Sequence, residues 1–161
     1  MKKLFFLVGI LCVSCVSLKP TAISIEPRTS VIQTTGKQDD LYVKANSWMA
    51  ETFGSSKSVI QFTDKESGTV IGKYLFNRSQ KSTGLYGNES TLSEDSYAII
   101  KIQVKDNKAK INIAPNDYAI VENMYGSEPL TKDLGEQRIK SLISNFKKYM
   151  KNDKSTDWSD N

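Results

Sequence analysis

The stretch Tyr97 to Ile113 reads YAIIKIQVKDNKAKINI, and its alternation constrains the fold more than any other part of the chain. Ala98, Ile100, Ile102 and Val104 fall on one side, with Lys101, Gln103 and Lys105 on the other. After Asp106-Asn107, the residues Ala109, Ile111 and Ile113 alternate with Lys108, Lys110 and Asn112. A period of two this regular predicts an antiparallel hairpin with one buried face and one wet face.

The buried face needs a cover, and two segments have the pattern to supply it. Leu41, Ala45, Trp48, Met49 and Phe53 share one face of a predicted helix, with Asp39 and Asp40 favouring its N-terminal dipole and Gly54 closing it. Trp48 is thereby a core residue. A second helix is predicted from about Asp133 to Lys151, with Asp133 and Glu136 at the spacing of a capping box. Its stripe is Ile139, Leu142, Ile143, Phe146 and Met150. The lysines near its end (Lys147, Lys148, Lys151 and Lys154) complement the helix dipole; a membrane-surface role is the competing reading.

A second hairpin is predicted from Ser58 to Thr63 and Thr69 to Phe76 around the turn DKESG, and a short strand from Thr29 to Thr35. The expected order is β-α-β-β-β-β-α. Strands with one apolar face and two striped helices predict an α+β fold, with both helices on one side of a curved antiparallel sheet. The opposite face stays open and carries Lys101, Gln103, Lys108 and Lys110, the candidate face for a partner. Asn77 to Asp95 is expected to be a long polar loop, a kind that is often functional or mobile.

The chain starts MKKLFFLVGILCVSCVSLKP, a short positive segment followed by an apolar run. That order is that of a secretory signal, and the run is too short to span a bilayer, which takes about 20 apolar residues. Cys12 and Cys15 end it. The pattern is similar to bacterial lipoprotein signals, with Ser14 before a Cys15 that would be acylated and become the new N-terminus; Cys12 stands where Leu is usual. A plain signal peptide and a retained helix are the alternatives. A zinc site would need two further ligands, and the chain has no His and only two Cys. The expected organisation is a signal at 1–14, a lipidated tether at 15–28, one domain at 29–151 and a polar tail at 152–161 containing Trp158. Such a tether spans roughly 20 Å and would hold the domain near a membrane, most simply the outer membrane on its periplasmic side.

The net charge of +4, lowered by two if Lys2 and Lys3 are removed, gives no electrostatic case for nucleic acid. Catalytic chemistry is poorly supplied. Without His, and with Cys15 acylated, the usual base and thiol are missing. Ser144 to Lys147 spells S-x-x-K and Ser159 to Asn161 spells S-D-N, but their order is wrong for penicillin-binding enzymes. Gly68 to Lys73 is one residue short of a phosphate loop and falls in a predicted strand, where Gly72 relieves crowding. No cofactor or metal is expected, and the chain is not expected to be an enzyme.

At LYVKANSWMAETF followed by SVIQFTDKESGTVIGKYLF the chain resembles a family of Gram-negative lipoproteins classified as a domain of unknown function with a TBP-like fold. The likeness covers roughly residues 38 to 125, with Gly72 as the mid-strand glycine. It implies a helix-grip type of fold exposed to the periplasm and brings no site residues with it. Three functions are weighed: an interaction module for an envelope protein, a carrier of a small apolar ligand in a cavity lined by Trp48, Phe53 and Phe146, and a hydrolase or its inhibitor. The first leads.

Overall fold

The alternating stretch lies in the middle of a five-stranded antiparallel sheet. The computed structural model describes residues 19–54, 59–83, 87, 89–121 and 130–152. In chain order they form β1 (Thr21–Ile23), β2 (Arg28–Gln33), α1 (Gln38–Phe53), β3 (Ile60–Asp64), β4 (Thr69–Asn77), β5 (Gln80–Thr83), β6 (Glu89–Ser93), β7 (Ser96–Lys105), β8 (Lys108–Pro115), β9 (Tyr118–Ile120) and α2 (Lys132–Lys151). The main sheet runs β2-β8-β7-β4-β3, so the expected strand before the first helix, the two hairpins and the two helices are all present.

Both helices cover one face of this sheet, α1 over β4 and β7, α2 over β2 and β8. Leu41, Ala45, Trp48 and Met49 of α1 are buried, as are Ile139, Phe146 and Met150 of α2. The helices meet through Trp48, whose indole N–H donates to Asn145 Oδ1 at 2.7 Å and whose ring meets Phe146 edge-on at 4.8 Å. Tyr149 of α2 donates to Glu51 of α1 at 2.6 Å, and burial together with that carboxylate pushes the phenol up to about 12. Gly72 lies beneath α1, where a Cβ would collide with Cε of Met49, beside the bulge at Ile60 to Phe62. The crowding inferred for that glycine is real.

The start of α2 differs from expectation, while α1 has Asp39 and Asp40 in its first turn as expected and is capped from outside the helix. Thr131, not Asp133, is the N-cap of α2: its backbone is extended and its Oγ1 accepts the N–H of Leu134. Asp133 falls in the first turn, and Glu136 pairs instead with Arg28 at 2.7 Å, tying β2 to the helix. The N-cap of α1, Lys37, contributes no side-chain bond. The N–H of Gln38 donates to Asp106 Oδ1 at 2.8 Å, so the turn between β7 and β8 caps this helix. Asn107 in that turn adopts a φ of 59°, a left-handed conformation that asparagine tolerates.

The largest departure is a second sheet, β1-β9-β6-β5. Its strands come from the expected loop, the expected tether and the segment after β8. They stand in the same order as their neighbours in the main sheet, since β1 leads into β2, β6 into β7, β4 into β5 and β8 into β9. The second sheet is therefore the main sheet carried past a crease. Ladder hydrogen bonds fail along such a line, and polar side chains replace them. Asn77 Nδ2 donates to the Glu94 carbonyl at 3.2 Å, Ser96 Oγ to that of Asn116 at 3.0 Å, and Ser93 Oγ to that of Arg78 at 3.3 Å. These three are buried, as is Thr69. Ile25, expected within a tether, is buried against α2, where Gly135 leaves room: a Cβ there would collide with Cδ1 of Ile25.

Candidate functional site

Cross-strand register fixes which side chains share the uncovered face, because directly opposed residues point the same way. One row across the main sheet is Val31, Lys110, Gln103, Thr69 and Asp64. The next is Thr29, Asn112, Lys101, Ile71 and Phe62. Toward the β7–β8 turn, Lys105 opposes Lys108, and in the other direction Ile99 opposes Lys73.

All four residues expected on the open face lie there. Lys101, Lys108 and Lys110 are exposed and Gln103 is half-buried. They do not form one cluster, however. Gln103, Lys108 and Lys110 line a cavity of 350 Å³ together with Val31, Ser67, Val104 and Lys105, whereas Lys101 stands one row away beside Ile71. Among the described residues, none of Lys101, Lys105, Lys108 and Lys110 has a carboxylate within ion-pair distance. Asp64, on the rim, is committed to its own turn, accepting the N–H of Glu66 at 3.0 Å and that of Ser67 at 3.3 Å. Hydrogen bonds from Ser67 hold its carboxyl below the usual range.

Two apolar residues were not foreseen here: Val31 is 57% and Phe62 53% exposed. Their strands are edges, so which side of RTSVIQ or IQFTD looks outward depends on register with β8 and β4. Lys105 was readable, being in phase with Lys101 and Gln103.

The other foreseen sites fare differently. Around Trp48 the space between helices and sheet is occupied by rings, with Phe53 at 5.7 Å and Phe146 at 4.8 Å, so the apolar cavity imagined there is filled. A cavity of 540 Å³ lies instead at the crease, between β4 and the start of α2. Among the described residues no three His, Cys, Asp or Glu side chains gather as metal ligands, and no helix is long and apolar enough to cross a membrane. Cys15, Lys154 and Trp158 lie outside the described residues.

A family model described as "Domain of unknown function (DUF4468) with TBP-like fold" matches residues 29–118, which takes in the main sheet, α1 and β9 up to Tyr118. No curated protein gives a significant match. Among solved structures, a family protein from Bacteroides ovatus aligns at 17% identity over 74% of this chain and 78% of its own, with a TM-score of 0.41. A TBP-like protein from Parabacteroides distasonis aligns at 11% identity over 77% of this chain and 91% of its own, with a TM-score of 0.49.

Proposed function

The chain belongs to the DUF4468 family of TBP-like domains, and from that premise we propose that it is a non-enzymatic interaction module, anchored in the cell envelope through a lipidated Cys15, that presents its open sheet face to an acidic surface of a partner protein. The observation that carries this reading is the composition of that face. Phe62 and Val31, on the two edge strands, expose more than half of their surface, and Lys101, Lys105, Lys108 and Lys110 stand on the strands between them without carboxylate partners among the described residues.

Apolar side chains amid lysines match the general anatomy of an interface, in which buried apolar contacts supply the affinity and charges supply orientation and partner choice. The opposite face of the same strands is buried beneath both helices, so the presenting surface is held rigid. Little ordering would then be lost on binding.

Native mass spectrometry of the full chain gently extracted from its membranes tests the proposal in one spectrum. The expected result is a diacylglyceryl mass on Cys15 and a stoichiometric protein adduct that disappears in the K101E/K110E variant. An adduct that persists unchanged in that variant would remove the sheet face, and an unmodified Cys15 would remove the anchor.

A further inference from the structure

The crease cavity has a chemistry of its own. Its 540 Å³ falls in the range of small-molecule sites, and it is walled by two elements of unlike character. Leu75 and Phe76 come from β4, Leu130 and Leu134 from the start of α2 and the residues before it, and these make an apolar wall. Two arginines line the same space, the exposed Arg78 from the link between β4 and β5 and Arg138 from α2. Arg138 is held in place: it donates to the carbonyl of Phe76 and lies 5.7 Å from the centroid of that ring.

Neither arginine has a carboxylate within ion-pair distance among the described residues. A planar guanidinium matches the oxygens of a carboxylate or phosphate, and two of them beside an apolar wall select a ligand with one anionic end.

We propose that the crease cavity binds a small amphipathic acid, with its anionic head between Arg78 and Arg138 and its apolar tail along Leu75, Leu130 and Leu134. This site is separate from the open sheet face, and either can fail without the other.

Calorimetric titration of the full chain with decanoate, decyl phosphate and decanol tests it. Saturable one-to-one binding of the acids is expected, with decanol at least tenfold weaker. The better of decanoate and decyl phosphate identifies the head group. Arg78→Gln, an exposed position, should weaken the acids about tenfold and leave decanol unchanged, and Leu134→Asp should weaken every probe. Arg138→Gln removes a contact to β4 and is read only alongside its melting curve, with Arg138→Lys as the variant that keeps the charge. Absence of saturable binding, equal affinity for decanol, or acid binding indifferent to Arg78→Gln would each overturn the proposal.

Discussion

Along β7 the main sheet buries Ala98, Ile100, Ile102 and Val104 beneath the helices, whereas the same line of chain across the crease, β6, buries Leu92 and then Ser93. The contrast is sharpest between β7 and β6, since β9 also buries Tyr118 and Ile120. The main sheet has strands of up to ten residues, and two helices cover it. The second has strands of three to five residues, and serines and an asparagine bridge the line where it begins. The second sheet contributes Tyr118 and Ile120 of β9 to the same apolar core, and hydrogen bonds hold it along the crease. The difference teaches that a long strand can be stable along one half of its length for one reason and along the other half for another.

The comparison predicts effects of different size and reach. Truncating Trp48 to Ala removes a fully buried ring and its bond to Asn145, and should cost about 3–5 kcal/mol and shift the global denaturant midpoint. A local loss of signal with an unchanged midpoint would contradict a single core under the main sheet. Ser96→Ala removes the donor to the carbonyl of the exposed Asn116 and should cost about 0.5–1.5 kcal/mol. Its signature is local. Amide exchange should quicken in β6 and β9 while Ile100 and Ile102 stay protected, and uniform quickening would mean the two sheets open as one. The smallest effect changes sign. Gly135→Ala should destabilise by about 1 kcal/mol because its methyl meets Ile25. In an Ile25→Val background the offending Cδ1 is gone, and the same substitution should stabilise by up to about 1 kcal/mol through helix propensity. Thermal melts of the four proteins decide it, and a loss that persists in the Val background would remove Ile25 as the cause.

The same division governs what could be read from the sequence. Alternation from Tyr97 to Ile113 and the stripes of the two helices are signals of burial, and the strands and helices they predict are those of the main sheet. The strands TAI, QKST and ESTLS carry no such signal. They are short, largely polar, and defined by pairing with distant segments, so Asn77 to Asp95 reads as a loop and Ile25 as part of a tether. On the open face, Gln103, Lys108 and Lys110 were legible because their strands alternate. Val31 and Phe62 were not, because an edge strand has a single neighbour to set its phase. The crease cavity had no signature, since its walls lie far apart in the chain and meet only after the sheet has bent.

The turn at Asp106 and Asn107 carries a consequence for how the chain reaches this state. Its carboxylate caps a helix that begins 68 residues earlier. The Asn107 carbonyl accepts the N–H of Thr34, and the N–H of Asn107 donates to the Gly36 carbonyl. Closing a loop of that length costs roughly 4 kcal/mol in chain entropy, apart from a constant, and one capping bond cannot offset it. The cap therefore arrives late, after β7 and β8 have paired and brought the turn to the helix. Until then the first amides of α1 lack that partner. Substituting Asp106 would act on a helix to which it does not belong in sequence, and would be felt in unfolding more than in folding.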